Sequence, residues 1–278
     1  MTASLADRVA AAGLDWIVPD WDAPPNVRAL STTRNGGVSA GARASFDVGA
    51  AMPLQDADLP AVVENRRRLA QFLPSPPVWL SQVHGVDVAL IDHANSLTLS
   101  SSPPTADAAV TRSAGIVLGV RSADCLPILF ADREGKVVAA AHAGWRGLAA
   151  GVLEATLHAM RVPPRDVVAW MGPAIGPQQF EVGRDVFAAF CTKSPRAETC
   201  FEPHKDGKWL ADLYGLARQR LEREGVAAIG GGDHCTRTET RRFFSYRADT
   251  NSGRMATLVW LATSMHDTIA VAGRNRSR

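Results

Sequence analysis

Three residues far apart in the chain carry the donor types of a metal centre: His84, Cys125 and His142. A thiolate and two neutral imidazoles suit zinc, a borderline-soft ion that accepts S and N donors and is commonly tetrahedral. Three protein ligands leave one position open, and an open position separates a catalytic zinc, which holds and acidifies water, from a structural one. Copper is the alternative occupant, because one thiolate and two imidazoles are also the donors of electron-transfer copper sites. The same residues have a plainer reading, with Cys125 a small buried thiol and the two histidines hydrogen-bonded residues at strand ends. The spacing is not that of a zinc finger and leaves both readings open. A third chemistry uses no metal: Cys125 as a nucleophile activated by His142, with amide hydrolysis as the reaction.

The elements that must position these residues read from the apolar runs around them. Ile116 to Val120, Leu126 to Phe130 and Val137 to Ala141 fit buried strands, with Cys125 just ahead of the second and His142 just past the third. Strand ends are where side chains can leave a core and meet. An apolar helix is expected from Trp145 through Leu148, Val152, Leu153, Leu157 and Met160. Its N-terminus favours anions, and Arg146 in its first turn either grips a phosphate or carboxylate or makes a surface ion pair. Upstream, Val78 to Val83 and Val86 to Ile91 read as strands flanking His84-Gly85, a junction free to aim an imidazole. Asp92 to Asp107 is Ser/Pro-rich, without periodicity, and reads as an exposed loop within one domain.

Elsewhere, Val27 to Thr33 alternates like a strand and enters a Gly-rich segment, RNGGVSAGARASFDVGA, headed by Arg34. That segment is either a connector or a functional loop. Asp58 and Pro60 suit the start of a helix whose buried stripe is Val62, Leu69, Phe72 and Leu73. Val167 to Met171 is a further buried strand, Arg184 to Cys191 a short helix, and Trp209, Leu213, Leu216 and Leu221 repeat at helical spacing up to Gly225. Val226 to Ile229 and Met255 to Ala262 are strands, and residues 271–278 an expected disordered tail.

Whole-chain properties narrow the class. At 278 residues with 46% hydrophobic, the chain can bury a real core in one or two domains. A net charge of +2 gives no reason to expect nucleic acid or an anionic membrane as partner. The opening residues do not resemble a secretory signal and no run is long enough to span a bilayer, so a cytoplasmic address is expected. Four widely spaced cysteines suit reduced thiols better than a disulfide framework.

Several segments together resemble one known family: SQVHG (81–85), TADAAVT (105–111), RSADCLPILFAD (121–132), AAHAGWRG (140–147), MGPAIGP (171–177), FFSYR (243–247) and GRMATLVWL (253–261). In this order they are similar to the purine nucleoside phosphorylases long labelled multicopper polyphenol oxidases, or laccase domains, whose bacterial members are also called peptidoglycan editing factors. The resemblance implies an α/β fold in one domain, residues 1–278 with a core over 26–262, in which a mixed β-sandwich is flanked by helices in α/β/β/α layers. It implies that His84, Cys125 and His142 are the metal ligands and, with Arg146, the catalytic set. Arg34, Asp47, Asp124 and Arg247 are the expected substrate contacts, with Asp124 a candidate proton shuttle that the resemblance does not itself supply. Asp47 stands where the family usually has Asn, and its charge would repel phosphate unless an arginine neutralises it.

The implied activity is phosphorolysis of adenosine, inosine and S-methyl-5'-thioadenosine to free base and ribose 1-phosphate, with adenosine deamination alongside. The partners implied are purine nucleosides and phosphate; the sequence leaves the oligomeric state open, with a monomer favoured. The peptidoglycan-editing name keeps amide hydrolysis of a peptidoglycan precursor as the alternative. Copper-dependent phenol oxidation is expected only as a side reaction. A multicopper oxidase needs an imidazole-rich cluster, and of seven histidines His93, His158, His204 and His266 share no motif.

Overall fold

In the computed structural model, residues 3–49, 59–226 and 228–263 are described. In chain order the strands are β1 (Val27–Ser31), β2 (Val78–Trp79), β3 (Val88–Ile91), β4 (Ala108–Thr111), β5 (Val117–Ser122), β6 (Leu126–Asp132), β7 (Val138–Ala143), β8 (Val167–Met171), β9 (Glu181–Val182), β10 (Phe201–Pro203), β11 (Trp209–Ala211), β12 (Ala228–Gly231) and β13 (Met255–Leu261). The α-helices are α1 (Leu5–Ala11), α2 (Leu59–Ala70), α3 (Ser96–Ser101), α4 (Trp145–Ala150), α5 (Val152–Met160), α6 (Arg184–Cys191) and α7 (Leu213–Glu224). The expected cap at Asp58 and the tail 271–278 lie outside the described residues.

Strand parity assigns each side chain to a layer, because successive residues of a strand point to opposite faces. On β6, Leu126, Ile128 and Phe130 join the core that includes Leu148 of α4, Leu153 and Leu157 of α5, and Leu216 of α7. Leu129 and Ala131 of the same strand face the other way, into a core shared with Leu118 and Val120 of β5 and Val259 and Leu261 of β13. On β13 the alternate residues Ala256, Leu258 and Trp260 pack outward against Val9 of α1 and Leu69 of α2. Helices, sheet, sheet, helices is therefore the layer order, a mixed α/β single domain. Strands covered on both faces need apolar residues at every position, which is why they appear in sequence as unbroken runs.

The six-stranded sheet has the order β12-β8-β6-β7-β4-β3 and the four-stranded sheet β1-β13-β5-β2. Antiparallel β6 and β7 pair Leu126 with Ala143 and Pro127 with His142, so the start of one strand lies beside the end of the next. That register brings Cys125 to His142. A small sheet, β10-β11-β9, completes the strands.

Four expectations are corrected. The helix expected to run on from Trp145 is broken at Gly151, whose φ of +112° ends α4 and begins α5. Trp209 belongs to β11, where it pairs with Pro203 and Val182, and the helix starts only at Leu213 behind an Asp212 cap. The Ser/Pro-rich stretch contains α3. The strand expected over Val78 to Val83 ends at Trp79, and a single bridge from Ser81 to Thr105 carries the chain to the His84 turn.

A Cβ added at Gly151 would meet only Glu154 Oε2, at an ordinary contact distance of 3.6 Å, so any cost of a side chain there is conformational. Gly151→Ala is expected to destabilise the fold by about 1–3 kcal/mol, the usual cost of a side-chain-bearing residue in a sparsely populated backbone region. A urea titration with unchanged slope and lowered midpoint would show it.

Candidate metal centre

The centre is built outward from one buried carboxylate, that of Asp107, which immediately precedes β4. Three consecutive backbone N–H groups converge on it: Val83 at 3.0 Å and Gly85 at 2.7 Å donate to Oδ2, and His84 at 3.0 Å donates to Oδ1. Successive N–H groups point to one side when one residue of the turn is left-handed, a concave arrangement that binds anions. His84 supplies that geometry with φ +61°, a conformation His tolerates better than most residues. Oδ1 also accepts from His142 Nδ1 at 2.8 Å, and the Asp107 carbonyl accepts the His142 backbone N–H at 2.7 Å. One carboxylate thus fixes the backbone of His84 and the ring of His142, and by holding Nδ1–H it leaves His142 Nε2 for Cys125.

The ligand atoms of His84, Cys125 and His142 all lie within 4.8 Å of one another. Cys125 Sγ is 3.7 Å from His84 Nε2, and the two rings meet edge to face with centroids 4.9 Å apart. Donors of a tetrahedral zinc stand roughly 3.3–3.8 Å apart at ordinary Zn–N and Zn–S lengths, so small side-chain adjustments close the set on an ion. Among the described residues no fourth His, Cys, Asp or Glu joins the group. His142 is buried, Cys125 half-buried and His84 exposed, so the ring of His84 marks the solvent side.

Two glycines make room. A Cβ on Gly144 would stand 2.8 Å from His84 Cδ2 and 3.0 Å from Cys125 Sγ, and one on Gly147 would stand 2.8 Å from the Gly85 carbonyl. The AGWRG segment therefore lets the first turn of α4 close over the His84 turn.

Electrostatics favour the metal-binding form of the thiol. Burial opposes the Cys125 thiolate, but the charge and hydrogen bonds of His142 and His84 outweigh it and bring the thiol down to about 6. Burial likewise opposes a charged His142, and Cys125 together with Asp107 overcomes it, raising the imidazole to about 9. Without an ion the pair is thiolate and imidazolium near neutrality.

The remaining sequence candidates have other surroundings. Arg34 donates Nε to the Ala44 carbonyl and Nη1 to the Thr240 carbonyl, and lies over the Phe244 ring. Asp47 is buried, accepts the N–H groups of Gly49 and Arg254, and has Arg43 at 3.8 Å. Its charge also acts on Arg66 and on Arg121, which burial and its arginine neighbours hold down to about 9. Arginines therefore do surround Asp47. Asp124, with φ +82°, accepts from Thr236, Ser245 and the Arg247 backbone, tying the 236–247 loop beside Cys125. Arg247 donates to the Glu181 carbonyl and lies over Phe180. Arg146 is exposed and stacks on Trp145. Sequence reasoning did not single out Asp107, Gly144 or Gly147. Asp107 stands at the end of a polar loop, and nothing local marks it as the partner of residues 22 and 35 positions away.

Comparison with known proteins adds to this geometry. Residues 28–262 match the family described as multi-copper polyphenol oxidoreductase laccase. The chain is 51% identical over 251 residues to the purine nucleoside phosphorylase YfiH of Escherichia coli, covering 88% of this chain and 98% of that protein. It is 49% identical over 247 residues to a purine nucleoside phosphorylase of Pseudomonas aeruginosa, with the same coverage. A crystal structure from Neisseria meningitidis superposes with a TM-score of 0.83 at 49% identity, over 90% of this chain and all of that one. YlmD from Geobacillus stearothermophilus superposes with a TM-score of 0.76 at 31% identity, over 86% and 93%.

Two outcomes are expected. Asp107→Asn keeps the shape but removes the charge that holds the His84 backbone and the His142 ring, so affinity for zinc should fall about 10–100-fold, read by competition with a chromogenic chelator. Metal binding needs thiolate and neutral imidazole and so displaces the His142 proton. Between about pH 6 and about pH 9 zinc affinity of the wild type should therefore rise roughly tenfold per pH unit, with one proton released per ion in a weakly buffered titration.

Proposed function

The chain belongs to the family of multi-copper polyphenol oxidoreductase laccases, and from that membership we propose that it is a zinc-dependent purine nucleoside phosphorylase acting on adenosine, inosine and S-methyl-5'-thioadenosine, with adenosine deamination as a second activity. The observation that carries the proposal is the convergence of the ligand atoms of His84, Cys125 and His142 to within 4.8 Å of one another, with His84 exposed to solvent. The names of the relatives supply the reaction class. A thiolate and two imidazoles fit zinc by donor type and spacing. A bound zinc ion would supply Lewis acidity toward a substrate oxygen or a water molecule.

In phosphorolysis a phosphate oxygen forms a bond to the anomeric carbon of the ribose, and the pair of the C–N bond leaves with the purine. The protein must hold a dianion against its own hydration and keep it aligned. Arg146 is free of carboxylate partners among the described residues and stands in the first turn after Gly144, beside the centre. It is the cation best placed to hold phosphate. Arg34 and Arg247 keep their guanidinium groups on carbonyls and rings, so their part is to fix the walls of the site. The carboxylate of Asp124, engaged by three donors, fixes the Cys125 turn.

One observation favours a second reading. The thiolate–imidazolium pair of Cys125 and His142, with Asp107 on Nδ1, has the arrangement of a cysteine hydrolase, which would fit cleavage of a peptidoglycan-precursor amide. Copper in the same three donors would permit phenol oxidation.

Incubation with inosine should release hypoxanthine only when phosphate is present, and Cys125→Ala should lower that rate at least about 100-fold, since loss of Lewis-acid stabilisation costs several kcal/mol. Chelation should abolish the activity and zinc restore it. Base release without phosphate, or amide cleavage that survives chelation but not thiol alkylation, would select the hydrolase instead.

A further inference from the structure

A cavity of about 320 Å³ opens between the C-terminal end of α6, the following turn 195–200 and α7. None of the metal-centre residues lines it. Four cations do: Lys193, Arg196, Arg220 and Arg223. Their carboxylate partners are fewer. Glu154 Oε1 is shared by Arg220 at 2.5 Å and Arg223 at 2.8 Å, Glu222 accepts from Arg196 at 3.1 Å, and Glu224 lies 3.8 Å from Arg223. Lys193 has no carboxylate at ion-pair distance among the described residues; its ammonium donates to the Ala149 carbonyl at 3.2 Å, which Arg220 also caps at 3.0 Å. Arg196 engages Glu222 through Nη2 alone, which leaves the rest of its fork for another oxyanion. The buried rings and methyls of Phe190 and Leu216 form an apolar floor.

We propose that this cleft binds a small organic phosphate at a site separate from the metal centre. The cations approach from three different elements, so they do not share a plane. A planar carboxylate satisfies one fork, whereas the oxygens of a tetrahedral phosphoryl group can meet an ammonium and a guanidinium from different directions. The volume is at the small end of ligand pockets, which admits a three- to five-carbon phosphate ester with its carbon chain on the apolar floor. The cleft also touches the far end of α4, whose first turn covers the metal centre, so the two sites share one short helix.

Glycerol 3-phosphate is the probe, titrated calorimetrically into the full zinc-loaded chain, with glycerol and succinate as controls. The expected result is one phosphate ester per chain, weakened by added salt, with succinate binding at least tenfold more weakly and glycerol not at all. Lys193 and Arg196 are exposed, so the double variant K193E/R196E should fold and should lose at least tenfold in affinity, while Cys125→Ala, which disables the metal centre, should bind as the wild type does. K193Q/R196Q, with circular dichroism on each variant, replaces the charge reversal if that proves unfolded. Unchanged affinity in the folded cleft variant, loss of binding in Cys125→Ala, equal affinity for succinate, or no binding to the wild type would each overturn the proposal.

Discussion

The Asp107 carboxylate is the constraint on which the centre rests. It is buried, and it accepts four hydrogen bonds: three from consecutive backbone N–H groups of the His84 turn and one from His142 Nδ1. A buried carboxylate without donors would be strongly disfavoured as an anion. Here the donors, with His142 foremost, hold its acidity stronger than usual against the cost of burial. The turn and the histidine are consequently not independent ligands that happen to meet. They are two arms of one anion-centred network, and displacing either leaves the carboxylate short of donors.

The sandwich supplies what that network needs at its base. Parity along β7 directs Val138 and Ala140 into the layer between the sheets, and His142 continues that face at its end. The β6–β7 register then fixes Cys125 beside it. Apolar packing on both faces of these strands gives the two residues a rigid mounting, while His84 arrives on a turn that the sheet does not hold and the carboxylate does.

Legibility in the sequence followed the range of the interaction. Strands buried on both sides announced themselves as apolar runs, and β8 and α6 have the expected limits. Trp209 matched a helical repeat by spacing but is taken by a three-stranded pairing that no local pattern encodes. Gly151 lies inside an apolar repeat, and only its backbone dihedral shows the break. For the centre, donor chemistry suggested the trio, whereas Asp107 is invisible because its partners are distant in the chain and three of them, Val83, His84 and Gly85, reach it through backbone N–H groups alone. Of the arginines around Asp47, Arg43 is only four residues away in the chain, whereas Arg66 and Arg121 are brought within its field by the tertiary fold alone.

Gly144 has a meaning that extends to the lineage of this chain. Its missing side chain leaves the space in which His84 and Cys125 approach each other, and apart from that approach nothing in the sandwich requires a glycine there, since its backbone takes an ordinary extended conformation with φ −60°. A paralogue that retained the sandwich but had abandoned the ion would be free to accumulate alanine or serine at this position. The identity of one small residue would then sort descendants that still bind metal from those that have turned the scaffold to another use.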